Sequence, residues 1–381
     1  MRVVVTGGGT GGHIFPALAV AESLTQLRPE AEVLYIGSAN GMEAQLVPEY
    51  GWPFQPIAAR KLRKLLSPST LLVLWSLWNG YKEARIYLRR FRAEAVLGTG
   101  GYVAAAAVLA AAREGIPSVI CSPDVVPGRT NRLLARWAQR ICIAFPASAA
   151  YFPPGRVVLT GLPLRKGIIA PKQITPQEAR QHFPGLSPNR FTLLVLGGSQ
   201  GARAINQVVA ESASVLLGAG VQVLHQIGKR DFSEFSTLLE RRDLANREGY
   251  HSFAFLAMEE MAYAYRAADL VLCRGGVSSL SEILANGLPS IVVPLPTAYA
   301  DHQTHNARAL EQAGAALLLP QASLTPERLT QLVLELKNEA TRREQMHYAA
   351  LALGRPDAAE SVANEILSIV EAQQGKIASL K

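Results

Sequence analysis

The run Gly7-Gly8-Gly9-Thr10-Gly11-Gly12 lies between a short apolar segment, Val3–Thr6, and an apolar-periodic one, Pro16–Leu27. A strand, a glycine turn and a helix in that order constrain the fold more than any other feature. Glycine permits a tight turn and lets main-chain N–H groups approach a ligand closely. The helix N-terminus behind the turn favours an anion or an electron-rich oxygen. The pattern recurs. Gly197-Gly198-Ser199-Gln200-Gly201 follows Phe191–Leu196, and Arg274-Gly275-Gly276-Val277-Ser278-Ser279 follows Ala268–Cys273. In such folds ligands bind at the C-terminal ends of parallel strands.

The rest of the chain keeps the same grammar. Strands are expected at Glu32–Ile36, Ala95–Leu97 and Ser118–Cys121, with helices at Glu43–Tyr50 and Tyr102–Glu114. Seven prolines between 151 and 190 mark a linker or domain boundary. Beyond it come a helix at Ala202–Leu217, a strand at Val221–Gln226, a helix at Ser279–Ala285 and a strand at Ser290–Val293. The expected fold class is α/β, with two Rossmann-like doubly wound domains facing across a cleft. The expected boundaries are 1–162, 163–355 and a C-terminal helical segment, 356–381, packing back towards the first domain.

A dinucleotide site needs an acid at the end of the second strand to hold the ribose. Here that strand ends in Gly37-Ser38, and Glu32 lies at its beginning. NAD binding is therefore set aside and no cofactor is expected. Three cysteines without metal-ligand spacing argue against a disulfide framework and against a zinc site. No metal is expected either. No apolar run reaches the roughly 20 residues that span a bilayer. The net charge of +8 points to an acidic partner: nucleic acid, anionic lipid or a phosphorylated substrate.

The combination of motifs is more specific than any one of them. Thr6–Ala19, Met42-Glu43-Ala44-Gln45-Leu46-Val47-Pro48 and Leu97-Gly98-Thr99-Gly100-Gly101-Tyr102-Val103 resemble three signatures of one family. So do Gly198–Arg203 and Asp301-His302-Gln303-Thr304-His305-Asn306-Ala307 in the second half. The family is that of the bacterial lipid I N-acetylglucosaminyltransferases, glycosyltransferase family 28. The resemblance covers nearly the whole chain. It implies a GT-B fold and metal-independent, inverting transfer from UDP-GlcNAc to undecaprenyl-linked lipid I, giving lipid II. Nucleic acid then drops out as a partner. Cell-wall synthesis or division proteins enter as further partners, and the location becomes the cytoplasmic face of the plasma membrane.

By the same resemblance Thr10, Gly11 and Gly12 line the substrate cleft, and Arg165, Ser199 and Gln200 stand by the UDP-sugar. Met258 reads the uracil edge through its main chain. Val277, Ser278, Ser279, Leu280 and Ser281 cradle phosphate and ribose, with Glu282 on the ribose hydroxyls. His302 and Gln303 meet the sugar. One departure is visible: a family asparagine that contacts the sugar is Asp124 here, and an ionised carboxylate accepts but cannot donate.

His13 is the first candidate for general base, since an imidazole with a pKa of about 6.5 suits that task. Asp124 is the second. Arg60, Lys61, Arg63 and Lys64, followed by Leu74, Trp75 and Trp78, mix cations with leucine and tryptophan, as a contact with an anionic membrane requires. Three alternatives share these features: a transferase for another lipid acceptor such as a diacylglycerol, a non-catalytic UDP-sugar-binding homologue, and a UDP-sugar epimerase.

Overall fold

Val3, Val4 and Val5 have no exposed surface, so the first strand is covered on both faces. That is the mark of a central strand in a parallel sheet. The computed structural model describes residues 1–59, 69–198, 200–245 and 247–379. Within them the chain divides into two units, Met1–Arg165 with Pro356–Lys381, and Lys166–Arg355.

The first unit contains a parallel sheet of β1 (Arg2–Thr6), β2 (Glu32–Ser38), β3 (Phe54–Ile57), β4 (Ala95–Gly98), β5 (Ser118–Ser122), β6 (Arg140–Ile143) and β7 (Val157–Leu159). Its order is β3-β2-β1-β4-β5-β6-β7. Val4 pairs with Leu34 on one side and with Val96 on the other. One face is covered by the helices Gly11–Leu27 and Ala358–Ser379. In the latter, Val362, Ala363, Ile366, Ile369 and Val370 form a helical stripe that joins Ile14, Ala17, Leu18 and Leu24 in one core. The other face carries the helices Ser69–Phe91, Gly101–Glu114 and Arg129–Leu134.

The second unit repeats the plan with β8 (Phe191–Leu196), β9 (Val221–Gln226), β10 (Tyr250–Phe253), β11 (Leu270–Cys273), β12 (Ser290–Val292) and β13 (Ala316–Leu318). The order is β10-β9-β8-β11-β12-β13, again all parallel. In both sheets the strand order reverses beside the first strand, between β1 and β4 and between β8 and β11. Ligands bind at such switch points.

Of the boundaries that differ from the sequence reading, two have a clear physical cause. The first helix begins at Gly11, not Pro16, which lies inside it. His13 is therefore the third residue of the helix, in the first turn, where main-chain N–H groups lack partners within the helix. The strand expected from Ala268 begins at Leu270, because Ala268 caps the preceding helix and the Asp269 carboxylate accepts from Arg180 and from the N–H of Thr192.

Candidate active site

At the first switch point the chain leaves β1 through the glycine turn and β4 through Thr99-Gly100-Gly101. The two exits are tied together. The N–H of Thr99 donates to Thr6 O at 2.9 Å, and its hydroxyl donates to His13 O at 2.6 Å. In return His13 Nδ1 lies 3.0 Å from Thr99 O. A carbonyl only accepts, so Nδ1 carries the proton and Nε2 keeps its lone pair. This is the tautomer that a base requires. Gly100 makes the approach possible: at φ +120°, a Cβ there would lie 2.7 Å from Cε1 and Nδ1 of His13.

Burial pulls the His13 pKa below its ordinary 6.5. Asp124, the Thr99 carbonyl and Glu43 act against that pull without overcoming it. The imidazole is thus neutral near pH 7. Asp124 follows β5, and nearby Asn131 donates to Cys121 O at 2.9 Å, bracing the loop that carries it. Thr10 caps the first helix through its main chain, with Thr10 O accepting from the N–H of His13 and Ile14 at 3.0 and 3.2 Å. Gly11 and Gly12 open that helix. Arg165 lies over the ring of Phe15 at 4.3 Å, beside the same helix.

Glu43 lies in the Met42–Pro48 motif, and the sequence alone assigns it no role. It is fully buried beneath the glycine turn. Its Oε2 accepts from the N–H of Gly9 at 3.3 Å and its Oε1 from the N–H of Ser38 at 3.0 Å. Its signal was an acid at the first position of the helix Glu43–Glu49.

In the second unit the helix Val277–Ala285 starts directly beyond β11, with Gly276 as its cap. Its first turn, Val277, Ser278 and Ser279, offers main-chain N–H groups and two hydroxyls, as an anion site does. Leu280 is fully buried, so its side chain belongs to the core. Ser281 and Glu282 are half-buried. Glu282 Oε2 accepts from the hydroxyl of buried Tyr265 at 2.8 Å, which fixes the carboxylate. Gln200 is exposed at the other side of this switch point, and Ser199 lies outside the described residues.

Met258 is the first residue of the helix Met258–Ala267, and the Glu260 carboxylate holds the N–H of the cap, Ala257, at 2.9 Å. His302 and Gln303 open the helix His302–Gln312 after two left-handed residues, Ala300 at φ 50° and Asp301 at φ 52°. Non-glycine residues held in that region carry strain of order 1–3 kcal/mol each, and such strain clusters at ligand sites. His302 Nδ1 lies 2.7 Å from Tyr299 O. Gln303 Oε1 accepts from the N–H of Leu295 at 3.0 Å, which turns its amide NH2 towards other partners. The buried Asn306 anchors this helix to the third glycine turn by donating to Gly275 O at 3.2 Å.

Arg274, another residue without an assigned role, begins that turn and donates to Val293 O and Pro294 O at 3.2 and 3.3 Å. Burial lowers its pKa, yet a guanidinium keeps its charge, so β11 ends in a fixed cation. Among the described residues no group of three His, Cys, Asp or Glu side chains is placed to hold a metal ion.

The proposed membrane residues lie elsewhere in the first unit. Arg60, Lys61, Arg63 and Lys64 are outside the described residues, as is the side chain of Leu74. Trp75 and Trp78 are 65% and 54% exposed on the helix Ser69–Phe91. Trp78 borders an open apolar hollow of about 590 Å³ with Leu77, Tyr81, Leu109, Leu133 and Trp137.

Two parallel sheets, each with a glycine turn and a helix N-terminus at its switch point, are the plan of the GT-B class of nucleotide-sugar enzymes. Residues 3–143 match the glycosyltransferase family 28 N-terminal domain and residues 192–362 its C-terminal domain. The UDP-N-acetylglucosamine–N-acetylmuramyl-(pentapeptide) pyrophosphoryl-undecaprenol N-acetylglucosamine transferase of Desulforudis audaxviator is 40% identical over 378 residues, 99% of each chain. That of Moorella thermoacetica is 42% identical over 375 residues, 97% of this chain and 100% of its own. The crystal structure of Acinetobacter baumannii MurG superposes with a TM-score of 0.75 at 30% identity, covering 96% of this chain and 99% of that one. The chain belongs to glycosyltransferase family 28, in the group formed by these transferases.

Proposed function

We infer that this chain transfers N-acetylglucosamine from UDP-GlcNAc to the C4 hydroxyl of the muramyl sugar of lipid I, giving lipid II for peptidoglycan. Near-full-length kinship with transferases of that name supports the reaction. The observation that carries the mechanism is the His13–Thr99 pair, which leaves Nε2 as a base beside a glycine turn.

In this reading the acceptor oxygen attacks the anomeric carbon of GlcNAc from the face opposite UDP. The C1–O bond to the β-phosphate breaks, configuration inverts, and the hydroxyl proton passes to His13 Nε2. Asp124 stabilises the imidazolium that forms and stands as the alternative base. The charge left on UDP is met by the N-terminus of the helix Val277–Ala285 and by Arg274, Arg165 and Ser199. Gln200 adds a contact to the donor. Glu282 accepts from the ribose hydroxyls, the main chain at Met258 reads uracil, and Gln303 with His302 holds the sugar. Thr10, Gly11 and Gly12 are the first unit's main-chain contribution to substrate binding.

A lipid-linked acceptor brings the enzyme to the cytoplasmic face of the membrane. No helix of the described residues is long and apolar enough to cross a bilayer. Contact instead falls to Trp75, Trp78 and the apolar hollow, with Lys82 stacked 5.2 Å over Trp78 to meet anionic headgroups. The sequence assigns Leu74 and the basic run Arg60, Lys61, Arg63 and Lys64 to the same contact.

One assay tests the reading. Purified protein is given UDP-GlcNAc, UDP-GalNAc or UDP-glucose with a lipid I analogue, with diacylglycerol, or with no acceptor. Disaccharide product with UDP-GlcNAc and the lipid I analogue is expected. Product with diacylglycerol alone, conversion of donor without acceptor, or no turnover at all would each overturn it. A preference for another donor would trace to Asp124.

A further inference from the structure

Glu43 has no exposed surface, and no cation lies within 4.0 Å of it among the described residues. A carboxylate in such a place costs several kcal/mol unless hydrogen bonds compensate it. Here both oxygens are engaged by main-chain donors on different segments, Gly9 in the glycine turn and Ser38 at the end of β2. The turn is built around the group: a Cβ on Gly8 would lie 2.2 Å from Glu43 Oε1. On the same side Tyr35, buried on β2, donates its hydroxyl to Gly7 O at 2.5 Å. Main-chain atoms of three successive residues, Gly7 to Gly9, are thus held or closely approached by side chains from β2 and from the helix Glu43–Glu49.

We propose that Glu43 is the positioning residue of the first unit's site: its carboxylate, satisfied on both oxygens, shapes the glycine turn that delivers His13. This rests on the role given above to that turn. A hydrophobic side chain of similar size would fill the same space without a desolvation cost, so packing alone gives no reason for a carboxylate. Charge gives a second reason. The groups acting on the imidazole are Asp124 from the loop after β5, the Thr99 carbonyl from the turn after β4, and Glu43 from below; the first turn of its own helix has no acid. Glu43 therefore opposes the burial that would otherwise make His13 a weaker base, and it does so without touching substrate.

The test is Glu43→Gln, nearly identical in shape. An amide has one accepting atom, so either Gly9 or Ser38 loses its partner, and the negative charge is gone. Turnover of a lipid I analogue should fall about 10- to 100-fold, the range a small misplacement of a reacting group produces. KM for UDP-GlcNAc should rise less than turnover falls, because most donor contacts are assigned to the second unit and Glu43 touches none of the donor residues directly. The His13 imidazole, followed by ¹⁵N NMR with His13→Ala identifying its signals, should titrate at lower pH than in the parent protein. Glu43→Asp, which keeps the charge, should restore most of that titration. A loss of stability or turnover with an unmoved His13 titration would overturn the proposal, as would unchanged turnover in Glu43→Gln. The NMR readout does not depend on catalysis. If His13→Ala retains turnover, the base assignment fails while the link between Glu43 and His13 is still measured.

Discussion

His13 Nδ1 and the main-chain oxygen of Thr99 are 3.0 Å apart, and the Thr99 hydroxyl returns a 2.6 Å hydrogen bond to His13 O. The two residues come from different strand exits, so their reciprocal bonds lock the first helix to the end of β4. The lock sets the ring's tautomer and its direction together.

His13→Ala should lower kcat by about 10²- to 10⁴-fold, the usual contribution of a positioned base. KM for UDP-GlcNAc should change little. In the parent enzyme the neutral imidazole is the working form, and burial holds its pKa below 6.5. The rate should therefore hold as pH falls through neutrality and decline only below 6.5. Steady-state kinetics across pH 5 to 9 check both statements. Near-parental turnover in His13→Ala at saturating substrates would exclude this base.

Gly100→Ala probes the lock from the other side. The new methyl would meet the ring at 2.7 Å in a backbone conformation, φ +120°, that an L side chain rarely adopts. Strain of about 1–3 kcal/mol is expected. So is a loss of turnover comparable to that of His13→Ala, with UDP affinity preserved. Calorimetric UDP titration beside a kcat measurement separates the two effects.

Stability of the second unit should fall with acid because of His225. This ring is fully buried between the Tyr250 hydroxyl and Asn206 Oδ1, at 2.8 and 3.0 Å, and burial lowers its pKa to about 3. In the unfolded chain it takes up a proton below about pH 6.5, while the folded unit refuses one until about pH 3. Its contribution is complete above 6.5 and is lost as pH falls towards 3, at about 1.4 kcal/mol per unit. Urea unfolding of the parent and of His225→Gln between pH 7 and 4.5 should show the steeper decline in the parent. Parallel declines would mean that His225 is not the source.

Trp75→Glu with Trp78→Glu should weaken binding to anionic vesicles by about tenfold or more, since exposed aromatic anchors and nearby cations supply the interfacial attraction. Turnover of a water-soluble acceptor analogue should not change. Flotation with phosphatidylglycerol vesicles at low salt is the measurement, and undiminished binding of the double variant would remove these residues from the membrane contact.

The central strands were legible because burial on both faces writes continuous apolar runs. Phe191–Leu196 and Val221–Gln226 occupy the spans expected of them. The strands at the sheet margins are absent from the sequence reading: β3, β7, β10 and β13 are the edges of their sheets, and β6 lies one strand in. An edge strand is short and partly exposed, so Phe54-Gln55-Pro56-Ile57 and Tyr250-His251-Ser252-Phe253 carry no apolar run to detect. The start of the first helix is hidden because a proline normally marks a first turn, which points to Pro16, five residues beyond the true start. Here the glycines open the helix and Pro16 lies within it.

The sequence by itself determined the fold class, the glycine turns and the family, since those depend on short runs of residues in order. It also singled out His13, whose neighbours in the chain identify it. Only the tertiary structure decided what surrounds that ring. Thr99 is 86 residues away from it in the chain, and Glu43 is 34 residues from the Gly9 N–H that it holds. The tautomer, the depressed pKa and the buried carboxylate under the turn arise where separate strands end side by side, and residue order alone carries no record of such distances.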